Sequence, residues 1–370
     1  MAAPRWARAA VIAATLAWMA AIGWSQVPPQ DGPDTIGDRY AAKVVVNDVS
    51  DMYTRRRLEQ TPLEAATWSK EASGAYPPAM LLSFAALYML GEAAGIGFYG
   101  AMLLVVALFL GLSLAYCWRT RWYVFPLLYG NFFYFGYRFF AVQDDSYLVM
   151  LTTIMAALMV VPRLPALAHA LMALAIALKL SPLYYAKYVA RMGRPTAVVF
   201  VGIVLAGLLL PVLLWENYLS LYRYHSEYKG SLPETMGGLA VAAIFTLVLS
   251  YVEERLDFDW EDRIGWSVVP FALYLAFSMN TARHLLIVLL IPDKRGVRSL
   301  ALALGMLAPT LFPQWVRFNS SLAITTALLA AALVSYLDAI GWDRVRADLR
   351  RATIRGLLPR RDGRVADSRR

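Results

Sequence analysis

The sequence predicts an all-α protein, a polytopic bundle of about 10–12 spanning or broken transmembrane helices. Hydrophobic residues make up 59% of the 370 residues, charged residues make up only 16%, and the mean hydropathy is +0.50. Soluble domains carry more charge and fewer apolar residues than this. Apolar runs follow one another from Ala9 nearly to Ile340 and leave no room for a long soluble domain. Residues 1–340 are therefore predicted to form one transmembrane domain.

Basic residues are concentrated in the C-terminal tail and in short loops between apolar runs. The formal net charge is +9, but this distribution indicates the positive-inside rule of membrane proteins and not nucleic-acid binding. Residues 341–370 are predicted to be a basic cytoplasmic tail, which is a solvated segment or a contact to anionic lipid headgroups. The single cysteine, Cys117, excludes an intramolecular disulfide.

The first apolar run, Ala9 to Trp24, predicts a retained membrane helix whose N-terminus is cytoplasmic. The chain then enters a first extracytoplasmic loop, residues 26–76, which is the most polar stretch before the tail. Thr61-Pro62 in front of Leu63–Ser73 predicts a short helix in this loop, because a Thr cap followed by Pro favours a helix start.

The later helices are predicted from hydropathy alone. Several are too short to cross a membrane untilted, and Ser181-Pro182 and Ile291-Pro292 predict broken helices. Membranes tolerate such breaks where protein or a wet cavity satisfies the freed backbone groups, so a cavity is expected. The predicted spans are Ala79–Leu90, Phe98–Trp118, Leu148–Val161, Ala166–Leu180, Thr196–Trp215, Gly238–Val252, Ile264–Phe277, Ser299–Phe312 and Ser321–Ile340.

The topology has a parity problem around residues 119–145. Counting every apolar run as a crossing puts Arg119 and Arg121 outside and the polar Gln143-Asp144-Asp145 inside. The aromatic stretch from Trp122 to Phe140 is interrupted by proline and glycine, so it is predicted to be re-entrant or interfacial. Gln143 and Asp144 then share the outer side with the first loop.

Two carboxylates in the first loop are candidates for acid–base chemistry. Asp48 and Asp51 stand three positions apart in NDVSDMY, beside Tyr53. A carboxylate next to a membrane cavity can act as a general base on a sugar hydroxyl. The alternative is helix capping, or an ion pair with one of the arginines at 55–57. Tyr76-Pro77-Pro78 follows the loop and predicts a rigid entry into the next helix, with proline in its first turn.

Further candidates are polar or ionisable residues next to apolar runs. Gln143-Asp144-Asp145-Ser146 precedes one such run and either faces a cavity or caps the helix. Lys179 beside a helix break could hold a lipid phosphate or could extend to the headgroups. Arg283 and His284 could bind the same phosphate or could anchor the chain at the interface. The sequence shows neither a zinc motif nor a nucleotide-binding motif.

The order of these features resembles the GT-C superfamily of membrane glycosyltransferases. It is most similar to the branch that depends on polyprenyl-phosphate mannose. The resemblance covers roughly residues 9–292 and runs through short patterns: the acidic first loop, Tyr76-Pro77-Pro78, the Gln-Asp-Asp break, Lys179 with Pro182, and His284. The family's Gly-Gln pair stands here as Val142-Gln143, so the glycine is missing.

The resemblance implies transfer of a hexose from a polyprenyl-phosphate donor to a glycan, lipid or protein acceptor. It assigns the catalytic base to Asp48 or Asp51 and donor-phosphate binding to Lys179, Arg283 and His284. Tyr53, Tyr76, Gln143 and Asp144 would line the site. The expected partners are the lipid-linked donor, the acceptor and membrane lipids, without nucleic acid, metal or cofactor. The expected location is a bacterial inner membrane, with the site facing outward.

Two other functions fit the same features. A transporter or flippase for a lipid-linked sugar would also need broken helices and charges at membrane depth, although the sequence has no internal repeat. A membrane scaffold without catalytic activity is the third. Polar loops gathered on one side favour an enzyme over both.

Overall fold

In a computed structural model of the chain, all regular secondary structure of the described residues is helical. Those residues form no strand. Two of the helical segments are 3-10 helices, Val49–Tyr53 and Ser181–Arg191. The α-helices are α1 Arg5–Gln26, α2 Pro33–Asn47, α3 Pro78–Ala93, α4 Gly97–Thr120, α5 Asp145–Val160, α6 Pro165–Leu178 and α7 Arg194–Leu214. The residues described are 4–26, 33–53, 76–120, 122, 125, 145–179, 181–215, 244, 246–247, 250, 341, 343–344, 346–347 and 349–351.

The helices predicted from hydropathy between residues 79 and 215 are confirmed, with ends that differ by a few residues. Among the described helices, α4 and α7 are long and apolar enough to cross a membrane, which indicates membrane association. α3, α5 and α6 are apolar but shorter. The predicted spans beyond residue 252 lie outside the described residues.

Helix α2 lies inside the segment that the sequence analysis assigned to the first loop. One face of α2 is buried, with Ala41, Ala42 and Val45 at most 2% exposed, and α2 packs against α3. Asp38 continues this face one turn earlier and is only 3% exposed. The first loop therefore begins with a helix that packs against the apolar helix α3. The short helix predicted at residues 63–73 lies outside the described residues.

The entry into α3 matches the prediction from Tyr76-Pro77-Pro78. Pro77 caps the helix in an extended conformation, Pro78 occupies its first turn, and both are buried. Tyr76 packs edge-on against Phe84 at a centroid distance of 5.8 Å, which fixes the start of α3 against its own second turn. Proline at this place lacks only an N–H that the helix would leave unbonded.

A tight turn joins α3 to α4 and reverses the chain. Gly95 and Gly97 have φ angles of 68° and 67°, which residues with a Cβ rarely adopt. Gly91 packs directly on the backbone of Gly97, so a Cβ at position 91 would collide with the Gly97 carbonyl. The end of α3 lies one helix length away from Tyr76. Because the chain reverses there, α4 runs back toward Tyr76.

Helices α6 and α7 pack against each other, and contacts at two heights show that they run in the same direction. Near their C-terminal ends, a Cβ built on Gly207 would lie 2.6 Å from the Cβ of Ala177. Nearer their N-termini, Tyr185 contacts His169 of α6 and Phe200 of α7, at centroid distances of 5.8 and 5.9 Å. At each of these two heights the contacts join residues at equal positions along the two helices, as expected for parallel helices.

Parallel helices require a connection that travels back along their length, and the 3-10 helix Ser181–Arg191 provides it. Its 11 residues cover about 22 Å at the rise of a 3-10 helix, close to the length of α6. The predicted break at Ser181-Pro182 is confirmed, because α6 ends at Leu178 and Lys179 is extended, with φ −157° and ψ 111°.

Candidate functional site

Lys179 stands at the break after α6 and connects three elements. Its ammonium Nζ donates a hydrogen bond of 2.8 Å to Ser146 Oγ, in the first turn of α5. The same Nζ lies 5.7 Å from the ring centroid of Tyr76, which is within range of a cation–π interaction. Ser146 is 3% exposed and Lys179 is half-buried. A cation is thus held where α3 and α5 begin and α6 ends.

Tyr53 links the 3-10 helix Val49–Tyr53 to this place. Its hydroxyl donates a hydrogen bond of 2.7 Å to the carbonyl of Tyr76, and its ring is 1% exposed. The ring also packs edge-on against Trp215, at a centroid distance of 5.5 Å. Trp215 in turn donates from Nε1 to the Val49 carbonyl at 3.3 Å. Tyr53, Tyr76, Ser146, Lys179 and Trp215 together are called the tyrosine end below.

Asp48 occupies the junction between α2 and the 3-10 helix and caps the latter. Its Oδ1 accepts a hydrogen bond of 2.7 Å from the Ser50 hydroxyl and one of 2.9 Å from the Ser50 amide. The hydroxyl first, and then the amide, lowers the pKa of the Asp48 carboxyl below its ordinary value of 3.8. Asp48 is exposed, stays ionised at neutral pH and is a weaker base than an unbonded aspartate.

The structure brings together part of the residue set that the sequence predicted. Tyr53, Tyr76 and Lys179 form one connected cluster, and Asp48 lies one residue from Val49, which Trp215 contacts. Asp51 lies within the 3-10 helix, but its side chain is not among those described. The other predicted site residues lie outside the described part of the chain: Gln143, Asp144, Arg283 and His284.

Sequence reasoning predicted neither the contacts of Ser146 and Trp215 nor the burial of Asp38. Ser146 was recognised as part of a polar quartet, but its contact with Lys179 spans 33 positions and leaves no local signal. Trp215 could have been noticed as an aromatic residue at the end of an apolar helix, a usual interfacial position. Asp38 shares a helical face with Ala41, Ala42 and Val45, a spacing that predicts burial.

The tyrosine end offers cation chemistry and hydrogen bonds. A half-buried ammonium group next to a hydroxyl and an aromatic ring can bind an anionic group such as a phosphate ester. No group of three or more His, Cys, Asp or Glu side chains that could hold a metal occurs within the described ranges. His169 lies away from this end and hydrogen-bonds through Nδ1 to the Tyr185 hydroxyl at 2.7 Å.

Comparison of the chain with protein-family models, with curated proteins and with solved structures gives no match. The class that the described residues define is an α-helical protein with two helices able to cross a membrane. The resemblance to the GT-C superfamily remains a prediction from the sequence.

Proposed function

We propose that this chain is a polytopic GT-C-type glycosyltransferase. It would transfer a hexose, with mannose as the sugar that the resemblance favours, from a polyprenyl-phosphate donor to a glycan, lipid or protein acceptor. The supporting observation is the position of Lys179, whose ammonium group is connected through Tyr76 and Tyr53 to the 3-10 helix that carries Asp51. A cation and a carboxylate-bearing segment at one end of the helices are what phosphate departure and hydroxyl activation require.

The proposed orientation follows from the charges at the two ends of α6 and α7. Arg163, Arg191 and Arg194 lie at the N-terminal end of the parallel pair, opposite to the tyrosine end. The positive-inside rule then assigns this arginine end to the cytoplasm and the tyrosine end to the outer side, in a bacterial inner membrane. The 3-10 helix Ser181–Arg191 carries the chain back along α6. The basic residues that precede α6 and α7 therefore lie on the same side of the membrane.

The proposed reaction inverts the anomeric carbon. A carboxylate of the first loop takes the proton of the acceptor hydroxyl, whose oxygen bonds to the anomeric carbon as the bond from that carbon to the phosphate oxygen breaks. Polyprenyl phosphate leaves with the bonding electron pair, and Lys179 stabilises its negative charge. We assign the base to Asp51, because Asp48 already accepts two hydrogen bonds that lower its pKa.

A second candidate is a transporter or flippase for a lipid-linked sugar. The observation that favours it is the interrupted path α6, 3-10 helix, α7, since discontinuous helices line the substrate sites of many transporters. This candidate uses Lys179 to hold the same phosphate, but it has no use for a general base.

The experiment that separates the candidates uses the purified full-length protein in liposomes with a radiolabelled polyprenyl-phosphate hexose. Transfer predicts a new glycoside once a membrane extract of the source cells supplies the acceptor. Asp51→Asn should lower its formation by about 100- to 10,000-fold, as expected for loss of a general base. Lys179→Met should lower it by about 100-fold or more, as expected for loss of a charged group at the leaving phosphate.

The matched control is Lys43→Met, which removes an exposed lysine of α2 that the proposed reaction does not use and should leave the rate unchanged. Movement of the labelled lipid between leaflets without any new glycoside would replace the enzyme by the transporter. Normal activity of Lys179→Met would remove Lys179 from the site.

A further inference from the structure

The cytoplasmic end of α6 and α7 is a second charged surface, which the proposed reaction does not use. Arg163 stands fourteen residues before Ala177, and Arg194 stands thirteen residues before Gly207. Because Ala177 and Gly207 touch and the helices are parallel, the two arginines lie at nearly the same height. Arg191 ends the 3-10 helix that leads into α7. The three exposed arginines are called the arginine end.

The positive charge of the arginine end is not neutralised by its own segment. From Ser146 to Trp215 the sequence contains no aspartate and no glutamate. Glu92, at the end of α3, is one described carboxylate on this side, and in the described part of the chain no ion pair joins it to the three arginines. Arginine binds phosphate through a planar pair of donors, so this surface suits a phosphate-bearing ligand.

Exposed apolar side chains adjoin the arginines. Leu164 and Leu167 are 54% and 44% exposed beside Arg163, and Val198 and Val199 are 71% and 53% exposed about one turn after Arg194. Arg194 and Val198 are four positions apart and share a face of α7. A ligand that matches both parts of this surface carries a phosphate next to hydrocarbon, as a phospholipid does, whereas a soluble polyanion would leave the apolar part uncovered.

We propose that the arginine end binds the headgroup of an anionic phospholipid in the cytoplasmic leaflet. The guanidinium groups of Arg163, Arg191 and Arg194 contact the phosphate, and the first turns of α6 and α7 contact the upper acyl chains. Basic groups at this depth are attracted to anionic lipid. The site depends on membrane insertion in the stated orientation and not on glycosyl transfer.

The test measures lipid retained by the full-length protein after release from nanodiscs of phosphatidylglycerol mixed with phosphatidylcholine, by native mass spectrometry. Wild-type protein should retain phosphatidylglycerol in preference. The triple variant Arg163→Gln, Arg191→Gln and Arg194→Gln should lower this retention by about tenfold or more. The matched control, Arg344→Gln, Arg346→Gln and Arg350→Gln, removes the same charge from exposed positions of the tail. With the tail as a solvated segment, the first of the two interpretations given above, this variant should retain as much as wild type.

Three results would overturn the proposal. They are equal retention of both lipids by wild-type protein, unchanged retention in the first variant, or an equal loss in the tail control. Competition with soluble glycerol phosphate distinguishes the lipid from a free phosphate ester, because it should not displace a ligand held partly by its acyl chains. If the triple variant fails to insert, Arg163→Gln, Arg191→Gln and Arg194→Gln are measured as single variants. Each should lower the retention, and unchanged retention in all three would overturn the proposal.

Discussion

Asp48 of the first loop and Lys179 at the helix break have opposite environments. This difference indicates that the two side chains have different functions. Asp48 is exposed, and a serine of its own turn satisfies one of its carboxylate oxygens. Lys179 is half-buried and reaches 33 positions back to Ser146. A local hydrogen bond of the first kind is typical of a cap, whereas a distant contact of a half-buried cation is typical of a binding site.

Substitutions of Asp48 can distinguish a cap from a base. Asparagine keeps an acceptor oxygen for the two Ser50 donors, whereas alanine removes it. We therefore expect Asp48→Asn to keep most of the transfer activity and Asp48→Ala to lower the thermal stability, with the activity and the melting temperature measured on the same samples. Loss of activity in Asp48→Asn at unchanged stability would instead make Asp48 the base.

The pH dependence of this cap has a defined sign. The folded pKa of Asp48 lies below the ordinary value of 3.8, so the cap contributes fully above that pH and is lost as the pH falls through the folded value. A carbon-13 titration of the Asp48 carboxyl should therefore have its midpoint below 3.8, and Ser50→Ala should move the midpoint upward. An unchanged midpoint in Ser50→Ala would show that another group lowers this pKa.

At the scale of elements, the 3-10 helix Ser181–Arg191 is the least usual part of the fold. Its buried residues, Pro182, Tyr185 and Tyr188, recur every third position, which matches the three residues per turn of a 3-10 helix. Tyr185 contacts Tyr188 at 5.1 Å between centroids and bonds to His169. The long 3-10 helix is thus stabilised by one buried stripe, from which Tyr185 packs on both α6 and α7.

Removing the buried tyrosine hydroxyl tests this stripe. Tyr185→Phe leaves His169 Nδ1 without this partner, and we expect a loss of about 1–3 kcal/mol of unfolding free energy. Tyr88→Phe, which changes a half-buried tyrosine of α3, should cost much less. Denaturant unfolding in detergent measures both. Equal and small losses would mean that the hydroxyl does not fix the 3-10 helix.

At the scale of the whole molecule, the common direction of α6 and α7 places the tyrosine end and the arginine end at opposite ends of the helices. Both helices begin beside basic residues, and both end beside residues that contact Tyr53 or Tyr76. The proposed donor site and the proposed lipid site therefore face different leaflets.

Disulfide trapping tests the parallel direction. In a Cys117→Ala background, Ala177→Cys with Gly207→Cys should cross-link on mild oxidation after the two helices separate by about 1 Å, because the Cβ positions would stand 2.6 Å apart and a disulfide needs about 3.5–4.5 Å. Ala177→Cys with Val199→Cys should not cross-link, because Val199 stands about 12 Å lower along α7. The shift of each pair on a non-reducing gel is the measurement, and the reverse result would mean an antiparallel pair.

The sequence by itself determined the helical class, the helices between residues 79 and 215, the proline-led entry into α3 and the break at Ser181-Pro182. These features depend on hydropathy and on proline, whose effects act within one or two turns. It also identified Lys179, Tyr53 and Tyr76 as candidate site residues.

Only the tertiary structure decided what these residues contact and how the helices run. The pairing of Lys179 with Ser146, the link from Tyr53 to Tyr76 and Trp215, and the parallel direction of α6 and α7 join positions between about twenty and more than a hundred and fifty residues apart. The hydropathy of a helix is the same for either direction across the membrane. It also does not depend on which other helix packs against it. Packing of one particular set of side chains supplies that choice, since close-packed interiors accept few arrangements.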